Sequence, residues 1–225
     1  MTYSRYCLGV TGGIATGKSS VCDYFLKLTK EKKAPCQVIS IDELRRFILT
    51  RSKSIKNIEL RKKLSQKLNL KAGAPFFYIG GEALGNRIFY DEKSMDQYRS
   101  LLLPELHDVL SKKLKKAKSM IIIEWACLIE DNFLPLTSHL ILTHCPPKVQ
   151  KKRLAMNADI SLAQLKKRLA GQSSFIWKKS AFKKYCDSVP IKDRPQLSIL
   201  DTSVPNEKSY QNLFNLILKN SYHEL

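Results

Sequence analysis

What the chain lacks already excludes several classes of protein. Its 225 residues hold six cysteines, Cys7, Cys22, Cys36, Cys127, Cys145 and Cys186, but no Cys-x-x-Cys pair, and its four histidines stand at no ligand spacing. Neither a zinc site nor a disulfide framework is therefore expected. No uninterrupted apolar run approaches the roughly 20 residues that cross a bilayer, and the apolar stretch 6–10 is too short for a signal peptide. A cytoplasmic protein with reduced thiols is expected. Acidic residues are scarce: 20 Asp+Glu stand against 39 Lys+Arg, for a formal charge of +19. Such an excess attracts polyanions in general, and nucleic acid, anionic lipid and a multiply phosphorylated small molecule all satisfy it. With 44% hydrophobic and 26% charged residues the chain can close a sizeable core, which excludes disordered, collagen-like and fibrous classes. The length allows one domain, or one domain with a small insertion.

Short β-rich apolar runs recur at 6–10, 37–41, 120–124, 140–144 and 197–200, separated by longer stretches with helical spacing. That alternation predicts an α/β fold, a parallel sheet with helices on both faces. The first helix, carried by Val21, Phe25 and Leu28, runs out in lysines and is stopped at Pro35. A long helix at 94–118 begins acidic and ends in lysines, and Pro104 within it predicts a kink or a split. Helical spacing is also plain at 148–154 and 161–169, while Gly73-Ala-Pro75 and Gly80-Gly81 mark an irregular middle section.

The strongest chemical signal is Gly12-Gly13-Ile14-Ala15-Thr16-Gly17-Lys18-Ser19, which fits G-x-x-x-x-G-K-[ST], follows the first predicted strand and opens the first helix. Glycines let backbone N–H groups converge on a triphosphate at a helix N-terminus, Lys18 reaches the β and γ phosphates, and Ser19 ligates Mg²⁺. Motor, helicase and transporter ATPases need a longer chain, and the Asn-Lys-x-Asp segment by which GTPases read the base is absent. A small kinase is the economical reading. It needs a carboxylate for the acceptor hydroxyl and an arginine for the migrating phosphoryl group. Asp42, after the second strand, suits the first role at the carboxyl edge of a doubly wound sheet, or caps the following helix. Glu124 ends Ile121-Ile-Ile-Glu124 like a Walker B carboxylate on Mg²⁺, or is a surface acid. Arg153, on a helix after the fourth strand, is a lid arginine or part of a solvated basic face.

Thr11-Gly-Gly-Ile-Ala-Thr-Gly-Lys-Ser19, Val38-Ile-Ser-Ile-Asp42 with Arg46, Ile121-Ile-Ile-Glu-Trp-Ala-Cys-Leu-Ile-Glu130 and Pro147-x-x-Gln150-x-x-Arg153 resemble the dephospho-coenzyme A kinase family. The resemblance implies a three-layer, nucleoside-monophosphate-kinase-like P-loop fold on a parallel five-stranded sheet. It further implies a single domain over 1–225, with a helical acceptor-binding segment at about 45–118 and a lid at about 146–195. The implied reaction uses ATP and Mg²⁺ to phosphorylate the ribose 3′-hydroxyl of dephospho-CoA. The implied residues are Gly13, Ile14, Ala15, Thr16, Gly17, Lys18, Ser19 and Ser20 for the nucleotide, and Thr11, Asp42 and Arg46 for the acceptor. Ser19 and Glu124 fall to the metal, and Asp42, Lys18 and Arg153 to catalysis. A monomer binding only these small molecules, and neither membrane nor nucleic acid, is implied. The family pattern is not complete: Ser40 stands for the first Asp of an Asp-x-Asp pair, Glu124 for an Asp, Gly80-Gly81 for Asp-Arg and Asn157 for a second lid arginine. Asp201-Thr-Ser-Val204 replaces an Asn-x-Gly-like segment near the adenine.

Two readings remain beside this one: another nucleoside or nucleotide kinase of the same fold, and a weakly active P-loop protein that binds nucleic acid. Against the latter, no RNA-recognition signature is present and aromatics are not interleaved with the basic runs. The charge is also localised: residues 45–72 carry ten basic residues against one acid and 145–195 thirteen against three, while the rest of the chain balances. In the family's architecture those segments are expected to flank a phosphate-rich cleft. Trp125, Trp177 and Phe175 are read as packing residues before a base-binding role and the four histidines as core or surface groups; Glu130, at a family-like position or simply a buried-edge carboxylate pairing with a lysine, is assigned no role.

Overall fold

The computed structural model describes residues 6–89, 91–156, 172–204 and 206–223. Asn157 and the helix expected at 161–169 lie outside the described residues, as does the side chain of His223. The five strands are β1 (Cys7–Gly12), β2 (Cys36–Ser40), β3 (Met120–Glu124), β4 (His139–His144) and β5 (Gln196–Asp201), in one sheet of order β2-β3-β1-β4-β5. Parallel registers pair Leu8 with Ile122 and His139, and Leu140 with Leu197. Adjacent parallel strands need crossover connections, which the intervening segments supply. The described residues gather into two compact units, one built from the chain up to Ile39 and from Lys113 onward, the other from Ser40–Lys112.

In the first unit β1 is buried along its whole length, as a central strand covered on both faces must be. Leu8 and Val10 of β1, Ile122 of β3 and Ile141 of β4 meet Val21, Phe25 and Leu28 of α1 (Lys18–Glu31) and Phe214 and Ile217 of α8 (Glu207–His223). The three to four residue spacing in α1 puts those side chains on one face. Phe25 and Phe214 meet edge to face at 5.2 Å, a geometry worth about 1 kcal/mol beyond the area buried. Two further helices, α6 (Pro147–Ala155) and α7 (Phe175–Ser188), belong to the same unit.

The second unit is helical: α2 (Ile41–Thr50), α3 (Ile55–Leu68), α4 (Gly81–Ile88) and most of α5 (Glu92–Lys116). Leu60, Leu64 and Leu68 recur on one face of α3, and Arg61 between them is fully buried. Its guanidinium is satisfied by carbonyls, Nη1 donating to Ile48 O at 2.6 Å and Nη2 to Ser52 O and Phe76 O at 2.8 Å. Burying a charge demands such bonds.

Three expectations are corrected. β2 closes at Ser40 rather than residue 41, because Ser40 turns the chain into α2 by accepting from the Glu43 N–H at 3.4 Å. The cap is therefore Ser40, and Asp42 sits inside the first turn of α2 instead of capping it. Pro104 does not split α5, which runs unbroken over 25 residues. Proline removes the bond to the carbonyl four residues earlier, and both Pro104 and Ser100, which owns that carbonyl, are exposed, so water can satisfy it.

Candidate active site

The turn from β1 to α1 is shaped by two glycines. Gly12 has φ 146°, and a Cβ there would lie 2.3 Å from Thr143 Oγ1 and 2.4 Å from Thr143 O, so no side chain fits. Gly17, at φ 82°, is the N-cap of α1 and provides no side-chain cap, which leaves the first turn open to an anion. Within the loop Thr16 is buried, its N–H and hydroxyl both donating to Gly13 O at 3.3 and 2.8 Å. Lys18 arches back with Nζ donating to Gly13 O at 2.9 Å, and Ser20 is exposed on the first turn of α1. Ile14 is held on both sides: its N–H donates to Gln172 Oε1 and its carbonyl accepts from Gln150 Nε2, each at 2.7 Å.

Glu124 ends β3, paired in register with Val10 of β1, and accepts the Ser19 hydroxyl at 2.7 Å. Two hard oxygens therefore sit together where the strand and the loop meet. Arg153 projects from α6 to the loop, Nη1 donating to Thr202 Oγ1 at 3.1 Å and to Ala15 O at 3.4 Å, with Nη2 on Thr202 O. Thr202, just after β5, is 2% exposed, and its hydroxyl lies 2.7 Å from Thr16 O and 3.1 Å from His144 O. Arg153 is thus gripped by the phosphate loop and by the β5 end rather than lying on a solvated face. Hydrogen bonds from Ser203 hold the nearby Asp201 carboxyl below its usual range, and burial raises the Cys145 thiol although Arg153 opposes it.

Thr11 is fully buried and its hydroxyl donates to Ala126 O at 3.2 Å. That carbonyl also accepts from Lys178 Nζ at 2.7 Å, and the same ammonium reaches Glu130 Oε1 and Oε2 at 2.6 and 2.7 Å. The lysine partner expected for Glu130 is therefore Lys178 of α7. Trp125 Nε1 donates to Asp131 Oδ2 at 2.8 Å, as a packed indole would, and Phe175 meets His144 with centroids 4.9 Å apart and planes tilted by 47°.

In the second unit Asp42 accepts from Arg45 Nη2 at 3.1 Å, and Arg45 Nη1 donates to Tyr98 OH at 3.2 Å. Arg46, the expected acceptor residue, is exposed on the next position of α2. Sequence reasoning passed over Arg45, which carries the same charge one residue earlier, and over Gln172 and Lys178, and it named Thr202 only within the 201–204 segment; none of the last three carries a local signal for its partner.

Fold and loop together define a P-loop nucleotide-binding α/β protein. The model of the family described as Dephospho-CoA kinase matches residues 6–185. A Prochlorococcus marinus dephospho-CoA kinase is 29% identical over 171 residues, covering 75% of this chain and 79% of its own length. One from Buchnera aphidicola is 28% identical over 169 residues, 74% of this chain and 75% of its own. TT1252 from Thermus thermophilus superposes with a TM-score of 0.69 at 18% identity, covering 96% of this chain and 98% of that one. Dephospho-CoA kinase from Campylobacter jejuni does so at 0.57 and 19% identity, over 97% and 98%. The two solved structures bear on the fold. The chain belongs to the dephospho-CoA kinase family.

Proposed function

We propose that this chain transfers the γ-phosphoryl group of ATP to the ribose 3′-hydroxyl of dephospho-CoA, giving coenzyme A and ADP, as a cytoplasmic monomer organised as one domain with acceptor (45–118) and lid (146–195) segments. The observation that carries the reading is the family match over residues 6–185, which takes in the phosphate loop, Asp42, Glu124 and Arg153 together. Among the described residues no helix is long and apolar enough to cross a membrane.

In this reading the loop N–H groups from Gly13 to Ser20 and the Lys18 ammonium bind the phosphates, and Arg153, held beside the loop, offsets the charge of the migrating phosphoryl group. Asp42, its carboxylate oriented by Arg45 and Tyr98, accepts the proton of the 3′-hydroxyl as that oxygen bonds to phosphorus and the bond to the ADP oxygen breaks. Arg46 is offered to the anionic acceptor; Thr11, expected to contact it as well, is fully buried with its hydroxyl on Ala126 O and supports the loop instead. Ser19 and Glu124 fit Mg²⁺, since Mg²⁺ takes one or two protein oxygens and fills its remaining positions with phosphate and water. When bound it offsets phosphate charge at that end of the loop.

A coupled assay offering dephospho-CoA beside nucleoside monophosphates tests the reading. ADP release with dephospho-CoA, and coenzyme A by mass spectrometry, are expected; turnover of monophosphates alone would refute it.

A further inference from the structure

Lys178 is fully buried, yet it carries a charge that α7 places beside a single carboxylate. Its three donor positions are all used, two on Glu130 and one on Ala126 O. A buried pair of this kind is weak evidence for stability, because well-packed apolar side chains of similar volume often serve as well or better. Its place in the fold offers another reason for it. Ala126 lies two residues beyond Glu124, in the segment where the Trp125 N–H still donates to Val10 O at 3.1 Å, and its carbonyl is shared by Lys178 and Thr11. Glu130 in turn accepts from the Ser173 N–H at 3.4 Å. One ammonium thus joins α7 to the segment after β3, whose Ala126 carbonyl Thr11 ties in turn to the end of β1, at the carboxyl side of the strands that hold the phosphate loop.

We propose that Lys178 is a positioning residue: by gripping the Ala126 carbonyl with Thr11, it fixes the segment that begins at Glu124 and so sets the Ser19–Glu124 oxygen pair for a divalent cation bound with ATP. The inference rests on the phosphate-transfer reading of this loop but not on the identity of the acceptor. Glu130, bonded to the same ammonium through both carboxylate oxygens, is the counter-charge that aims Lys178 at Ala126. Groups that orient metal-binding oxygens from behind change metal affinity or activity by about 10–100-fold when removed.

The test uses Mn²⁺ as probe, its affinity for the full chain measured by electron paramagnetic resonance with a non-hydrolysable ATP analogue present, beside binding of the analogue alone without divalent cation. The double variant Lys178→Met/Glu130→Leu removes both charges and keeps apolar volume. Its thermal midpoint is expected to stay close to that of the parent and its binding of the analogue alone within about twofold, while Mn²⁺ affinity falls at least about tenfold. Parental Mn²⁺ affinity overturns the proposal, as does a fall matched by an equal loss of analogue binding, which marks general loosening. Should the double variant not fold, Glu130→Gln decides, because it keeps the side-chain volume, leaves Thr11 and Lys178 in place and removes only the charge that aims the ammonium at Ala126. Weakened Mn²⁺ binding with analogue binding retained supports the proposal, and unchanged Mn²⁺ binding overturns it. A parent chain that binds Mn²⁺ with the analogue but leaves dephospho-CoA unphosphorylated sinks the proposed activity and not this inference.

Discussion

Thr202→Val isolates one hydroxyl at the base of the phosphate loop. Valine keeps the shape and volume of threonine, so the change opens no cavity and removes one donor and one acceptor. The donor serves Thr16 O at 2.7 Å or His144 O at 3.1 Å, and the acceptor takes Arg153 Nη1 at 3.1 Å. All of this occurs at a residue 2% exposed, where water cannot step in. Leaving a buried polar group without its partner costs about 1–3 kcal/mol. The His144 carbonyl keeps the Thr202 N–H at 2.9 Å and Arg153 keeps Ala15 O, which argues for the middle of that range, about 2 kcal/mol. For a chain of this length such a loss lowers the thermal midpoint by about 4–8 °C. Because Thr16 belongs to the loop, ATP affinity should fall in parallel by several-fold, readable by calorimetry on the same sample. Thr202→Ser, which restores the hydroxyl, should recover most of both effects. A valine variant with the parental midpoint and the parental ATP affinity would show that the hydroxyl plays no part in holding the loop.

Asp42→Asn should leave ATP affinity nearly intact while turnover falls by about 10²–10⁴, measured by steady-state kinetics with dephospho-CoA; unchanged turnover removes Asp42 from the reaction. Gly12→Ala puts a methyl group 2.3 Å from Thr143 Oγ1 at a φ of 146°, and should cost about 3–5 kcal/mol, seen as lost soluble protein or a collapsed midpoint. A normal midpoint there would contradict the loop geometry. His139 is buried between Tyr6 OH and Ser198 Oγ, and burial lowers its pKa to about 4. The unfolded chain therefore takes up the proton first as pH falls below about 6.5, and stability declines from there down to about pH 4, by up to about 3 kcal/mol, then levels. Thermal melts of the parent and His139→Gln across that window should show a shallower slope in the variant; equal slopes would refute the assignment.

The parts of the molecule legible in sequence are those written over short spacings. The run from β1 through the glycines to α1 reads directly, because a tight turn, an open helix start and an apolar face each have a local signature. Glu124 was legible for the same reason, as the polar end of a buried strand. Thr202 was not: it reaches Thr16 across 186 positions, and a lone threonine after a strand has no pattern of its own. Gln172 and Lys178 are likewise joined to the loop and to Glu130 by the fold, across 158 and 48 positions. Arg45 and Arg46 are alike in composition, and only the 100° step of the α2 helix decides which one meets Asp42. That Pro104 would not split its helix was not legible, because the outcome depends on whether solvent reaches the orphaned carbonyl, which is a property of burial.

The capping of α2 by Ser40 separates two jobs that an Asp-x-Asp sequence sets side by side. The first position ends a strand and begins a helix, a task any short side chain with an acceptor oxygen can do, so Asn, Asp or Thr should serve there about as well as serine. In the proposed reaction the second position takes the proton of the acceptor hydroxyl, and there the loss of one oxygen's charge is expected to be felt. Serine at the first position therefore keeps the cap of α2 without adding a second negative charge beside Asp42, so in the proposed reaction one carboxylate rather than two would meet a polyanionic acceptor.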